Sequence, residues 1–92
     1  MDVYAQIADK IITQQEIIIG PVAVERAKSV SGLDVDWTNH KVTITGDGSK
    51  VIDDLVEQYK TLFGQISVEV CKEAVGRLAQ QLSPEQMPAS LR

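Results

Sequence analysis

Two residue types often used in nucleophilic or general-base chemistry occur once each in this sequence: His40, its only histidine, and Cys71, its only cysteine. A general base must sit in a pocket beside a nucleophile or a carboxylate. His40 instead follows Asn39 in a predicted turn, where side chains are ordinarily solvated. Cys71 falls on the apolar stripe of a predicted helix and reads as a small buried hydrophobe, not as an exposed thiol of depressed pKa. One histidine and one cysteine also fall short of the ligand set of a structural zinc site. Asp34 and Asp36 share one face of a predicted strand, but a hard cation wants more oxygens than two carboxylates supply. Alternation puts that face in water, with Lys41 as a cross-strand neighbour. No catalytic residue, metal ligand or cofactor is expected, and the chain is read as not an enzyme.

The other stretch with chemical potential is Thr45-Gly46-Asp47-Gly48-Ser49-Lys50. A strand, a glycine-rich turn and a helix N-terminus in succession can cradle an anion with backbone N–H groups. Gly46, Gly48, Ser49 and Lys50 are therefore a candidate anion-binding turn, which would make the chain a small anion or nucleotide sensor. The spacing is not that of a P-loop, which needs four residues between its first glycine and Gly-Lys-Ser/Thr. Asp47, Asp53 and Asp54 would also repel an anion, so a tight turn leading into a capped helix is the favoured reading.

These residues need elements to position them. Tyr4, Ala8, Ile11, Ile18 and Val22 fall on one helical stripe, widened by Ala5, Ile12 and Ile19 and interrupted only by Gln15. Gly20-Pro21 breaks that helix, and a second, shorter one is expected from Pro21 to about Val30. Leu33, Val35 and Trp37 alternate with acids, and Val42 and Ile44 alternate with polar residues, which predicts a hairpin turning at Asn39-His40. A two-residue turn pairs Trp37 with Val42, whereas a four-residue loop pairs Asp36 with Lys41; both keep the apolar side chains on one face. After Gly46-Asp47-Gly48, Ile52, Leu55, Val56, Tyr59, Leu62 and Phe63 mark a third helix, with Asp47 or Ser49 as its N-cap and Gly64 as its end. Val70, Cys71, Ala74, Val75, Leu78 and Leu82 mark a fourth, from about Ser67 to Leu82. The expected fold class is α+β: two N-terminal helices, a β-hairpin and two C-terminal helices in one domain over residues 1–82, then a flexible tail over 83–92. No internal repeat is expected.

Ile18-Ile19-Gly20, the helix from Ala23 to Val30, Ser31-Gly32-Leu33 and Val42-Thr43-Ile44-Thr45-Gly46 together resemble the run of a KH RNA-binding domain over roughly residues 18 to 60. The resemblance implies a degenerate KH-like nucleic-acid binder using Gly20 and the helix that follows. That family clamps the RNA backbone with a Gly-x-x-Gly turn. Here the turn is Gly20-Pro21-Val22-Ala23, without the second glycine or neighbouring basic residues.

Composition narrows the rest. The 92 residues carry 43% hydrophobic and 4% aromatic side chains, so a single aliphatic core is expected. The net charge of −4 argues against a basic stripe for nucleic acid, which is an unlikely partner. No apolar run reaches the length of a membrane span, and a lone cysteine fits a reducing compartment; a cytoplasmic location and no membrane partner are expected. A chain this short gains stability by self-association. The leading reading is therefore a small interaction module that forms a homo-oligomer and docks a partner protein. Its candidate surface comprises Tyr4, Ile11, Ile18 and Trp37, with pairing of hairpin edges into a four-stranded sheet as one geometry.

Overall fold

The structure, a computed structural model, describes residues 2–92; Met1, the first residue of the expected domain, lies outside them. Its elements run α1 (Val3–Ile19), α2 (Val22–Lys28), β1 (Leu33–Asp36), β2 (Lys41–Ile44), α3 (Gly48–Phe63) and α4 (Gln65–Ala79), with a 3₁₀ turn at Ala89–Leu91. The class is α+β, with helices and hairpin in the expected order. The β-branched run Ile17-Ile18-Ile19 is helical although the buried residues of α1 end at Gln15, because a helix already formed extends at the gain of one hydrogen bond per residue fixed. The strands pair antiparallel with Val35 opposite Val42 and Asp36 opposite Lys41, so the connection is the four-residue loop. Helix α3 is capped by Asp47, whose side chain accepts from the Lys50 N–H. Helix α4 begins two residues earlier than expected and bends at Gly76.

The chain does contain a repeat, contrary to the expectation of none. Gly20-Pro21-Val22-Ala23-Val24-Glu25-Arg26-Ala27-Lys28 matches Gly64-Gln65-Ile66-Ser67-Val68-Glu69-Val70-Cys71-Lys72 at a displacement of 44 positions. The preceding helices match in burial: Ile7, Ala8, Ile11, Ile12 and Gln15 in α1 correspond to Val51, Ile52, Leu55, Val56 and Tyr59 in α3, and all ten are buried. In the following helices Ala23, Val24 and Ala27 correspond in the same way to Ser67, Val68 and Cys71. The two corners have nearly the same backbone, with Gly20 at φ 78°, ψ −158° and Gly64 at φ 77°, ψ −165°. Each donates its N–H to the carbonyl four residues back, at 2.8 Å for Gly20 and 2.7 Å for Gly64. Two helical hairpins, α1–α2 and α3–α4, therefore make up the molecule.

The hairpins are related by an approximate twofold axis. Helix α1 packs on α4 and, less extensively, α3 packs on α2. The Gln15 side-chain amide donates to the Ser67 carbonyl at 3.2 Å, and the Tyr59 hydroxyl donates to the Ala23 carbonyl at 2.7 Å. Each bond is the other's image, because Gln15 corresponds to Tyr59 and Ala23 to Ser67. Gln15, which interrupts the stripe in sequence, is buried and satisfied by this bond, as a polar core group must be.

Each hairpin carries its own cover. The β-ribbon lies on α1–α2, with Leu33, Val35 and Val42 buried against them. The C-terminal segment covers α3–α4. Residues 83–92, expected as a flexible tail, fold back: Leu91 is 8% exposed, and Ser90 donates through both its N–H and its hydroxyl to Asp53. The Tyr4 hydroxyl donates to the Gln86 carbonyl, and the Arg92 guanidinium reaches the Met87 and Pro84 carbonyls. The segment lacks periodicity because it is anchored by single side chains and not by a stripe.

Candidate functional site

The residues singled out from sequence do not form one surface. Ile11 is fully buried in the core and cannot serve as an interaction residue, a correction that follows from α4 and α3 both packing on α1. Tyr4 is half-buried, its ring against Gly48 so closely that a Cβ there would collide with it. Trp37 is half-buried as well, its indole N–H donating to Glu16 at 3.1 Å and its ring 4.5 Å from that of His40. Only Ile18 stands open, at 59% exposure. The first helix's broad stripe is thus spent on the core except at its last turn.

His40 is held as well as wet. Its Nε2 lies 2.8 Å from an Asp9 carboxylate oxygen, and its backbone sits at φ 51°, a left-handed conformation that few side chains adopt without support. With the Trp37–Glu16 bond this contact latches the loop of the ribbon onto α1. The loop's other end is closed by Asp36, which accepts from the Asn39 side chain and N–H; those bonds lower its pKa. Asp34 and Asp36 are exposed, and Lys41 faces Asp36 across the ribbon. Cys71 lies in the core against the Gln15 amide, and burial raises its thiol to about 11. Among the described residues no three His, Cys, Asp or Glu side chains gather to hold a metal ion.

At the glycine-rich turn, Gly46, Gly48, Ser49 and Lys50 do come together, but the site is occupied by the chain's own acids. Asp47 takes the Lys50 N–H, and the Lys50 ammonium pairs with Asp54 at 2.9 Å, which raises its pKa. At the Gly20 turn α1 runs directly into the corner and α2 follows it, so the turn lies between two helices. No helix among the described residues is long and apolar enough to cross a membrane.

What the sequence reading did not assemble is the end of the molecule where the two corners meet. Ile17 and Ile18 end α1, Val22 opens α2, Leu62 and Phe63 end α3, and Ile66 lies in the first turn of α4. Among the described residues these six are the large hydrophobics most exposed to solvent, from 38% for Val22 and Leu62 to 72% for Ile17 and Ile66. Leu62 and Phe63 were expected on the buried stripe of α3, but the buried residues of α3 end at Tyr59 and both are exposed. Ile18, Ile19, Phe63, Ile66 and Val70 line a shallow cavity of about 290 Å³ with the buried Gln15 and Ser67 at its floor. No charged side chain lines it. The signal available in sequence was the pair of motifs Ile-Ile-Ile-Gly and Thr-Leu-Phe-Gly, each an apolar run reaching a helix end where a core stripe should thin out. Compared with models of known protein families, with curated proteins and with solved structures, the chain matches none.

Proposed function

We propose that this protein is a non-enzymatic self-association and docking module whose working surface is the apolar end formed by the Gly20 and Gly64 corners. The observation that carries the reading is the uncharged groove lined by Ile18, Ile19, Phe63, Ile66 and Val70, with Ile17, Val22 and Leu62 exposed at the adjoining ends of α1, α2 and α3. Scattered exposed hydrophobics need no explanation, but a clustered set around a groove marks an interaction site.

A second copy is the occupant the surface fits. The chain's net charge of −4 would oppose self-association through a charged face, whereas the groove lining is uncharged. At 38–72% exposure the six side chains present on the order of 600 Å² per copy, so pairing hides on the order of 1,200 Å², at the lower end of specific interfaces. That area supports a reversible dimer, through which a further protein partner is docked. A single buried cysteine supports a cytoplasmic setting.

Sedimentation velocity from about 1 to 100 micromolar tests this. A monomer–dimer equilibrium is expected for the natural chain, and Ile66→Asp, at a 72% exposed position, is expected to remain monomeric while keeping its helical circular dichroism. A natural chain that stays monomeric throughout, or a dimer that survives Ile66→Asp and Phe63→Asp alike, refutes the assignment.

A further inference from the structure

The apolar end has two like halves, and that constrains how a copy can sit on it. At the displacement relating the helical hairpins, Ile18 corresponds to Leu62, Ile19 to Phe63 and Val22 to Ile66. Ile18 and Ile19 meet Phe63 and Ile66 across one groove, so the twofold relation of the hairpins runs through this face. A face of that kind can meet its own copy in two registers that differ by a half-turn about the internal axis. In one, each corner meets its like; in the other, each Gly20 corner meets the partner's Gly64 corner. Resting on the reading of this end as the self-association surface, we propose that the two copies join in the crossed register, with Val22 and Ile19 of one protomer facing the Ile66 and Phe63 positions of the other.

Size favours this arrangement. The Gly64 corner carries the bulkier member of two corresponding pairs, Phe63 against Ile19 and Ile66 against Val22. Like against like brings the two tall halves together and leaves the two short halves apart, opening a wedge; interfaces, like cores, lose dispersion contacts steeply with such gaps. The crossed register sets Phe63 and Ile66 of each copy against the smaller Ile19 and Val22 of the other. Its two contact zones are then images of each other through the dimer axis, whereas like against like makes two unlike zones, each lying on that axis.

Charge at the rim points the same way. Val70 lines the groove, and its counterpart in the first hairpin is Arg26, which is exposed. Like against like turns the two Arg26 side chains toward each other at the edge of the contact. The crossed register sets each against the partner's α4, which beside Val70 carries Glu69, matched by Glu25 beside Arg26, and also Glu73, where the first hairpin has the uncharged Ser29. Opposite charges at a rim set register and encounter rate more than affinity, and like charges penalise the wrong one.

Cross-linking between single-cysteine additions tests the register. Val22→Cys and Ile66→Cys are prepared separately, and Cys71, being buried, takes no part. Each variant alone, and the two mixed in equal amounts, are treated with a short bismaleimide and run on a denaturing gel. The crossed register predicts at least tenfold more cross-linked dimer in the mixture than in either variant alone. Dimers formed by Ile66→Cys or Val22→Cys alone, at or above the level of the mixture, overturn it. So does a mixture that sediments as a dimer but does not cross-link. Sedimentation of the natural chain reports separately on whether the apolar end associates at all, so loss of the register and loss of the surface are distinguishable.

Discussion

Gln15 and Tyr59 hold equivalent places in the two helical hairpins, each crossing the internal axis to bond a carbonyl of the opposite hairpin's second helix, Ser67 and Ala23 respectively. Both are buried polar groups in an aliphatic interior, and each bond ties one hairpin to the other. Tyr59→Phe removes a donor without removing volume, and the Ala23 carbonyl lies within a helix. The expected loss is therefore that of one net hydrogen bond, about 0.5–1.5 kcal/mol, and not that of an orphaned group. Urea titration checks this through a lowered midpoint at unchanged slope. A loss above about 3 kcal/mol, or a changed slope, would contradict it.

The C-terminal segment is expected to contribute to stability. Leu91 is 8% exposed and belongs to the same core cluster as Val68 and Leu55. Leu91→Ala should lower stability by about 2–4 kcal/mol, as truncation of a buried leucine does. Ser90→Ala, which removes the hydroxyl bond to Asp53 but keeps the N–H bond, should lower it by less, about 1 kcal/mol. Thermal melts of both variants decide the matter; unchanged melting of Leu91→Ala would mean that the segment does not pack in solution.

The sequence made the local elements legible where one period dominates. Leu33, Val35, Val42 and Ile44 announced a ribbon, and Asp47 and Gly64 bounded α3, since turn and cap chemistry is written in single residues. The loop length was not legible, because two registers keep the same faces together; the Asp36–Asn39 bonds and the His40–Asp9 contact accompany the longer one. The internal repeat was legible but missed: the shared Gly, Val, Glu and Lys positions of the two corners are masked by Pro21 against Gln65 and Arg26 against Val70. That omission also hid the candidate surface. Ile11 and Ile18 fall on one stripe of α1, and only the packing of a second hairpin separates the buried member from the exposed one.

Cys71 provides a pH test with a definite sign. Burial raises its thiol from 9.0 to about 11, so the folded protein holds this proton more tightly than the unfolded chain does. Stability from this group is fully present below pH 9 and is lost as pH rises to about 11, because the unfolded chain gives up the proton first. Cys71→Ala should flatten the fall over that window, and urea titrations of both proteins at pH 8, 9, 10 and 11 measure it. Burial raises the Tyr59 phenol as well, so a fall with the same sign persists in the variant at the highest pH. At pH 8 the native thiol holds roughly 100-fold less thiolate than an unperturbed one; the higher nucleophilicity of that thiolate offsets about tenfold of this, so the thiol should react with a disulfide reagent at least about tenfold more slowly.

The two corner glycines test the twofold relation itself. Gly20 and Gly64 share a positive φ near 78° with ψ close to ±160°, a region that L side chains rarely occupy. A Cβ added at either meets nothing within 4 Å, so the backbone conformation, and not a clash, sets the expense of a side chain there. Gly20→Ala and Gly64→Ala should therefore each lower stability by about 1–3 kcal/mol, and by amounts that agree within about 0.5 kcal/mol. Gly32→Ala is the contrast: at φ +86° its Cβ would also approach the Thr45 carbonyl oxygen at 2.9 Å and the Val51 side chain at 3.0 Å, so its loss should exceed both. Urea titration of the three variants ranks them. A corner pair that differs by more than about 2 kcal/mol would show that the hairpins, alike in sequence and backbone, do not bear equal parts of the fold's stability.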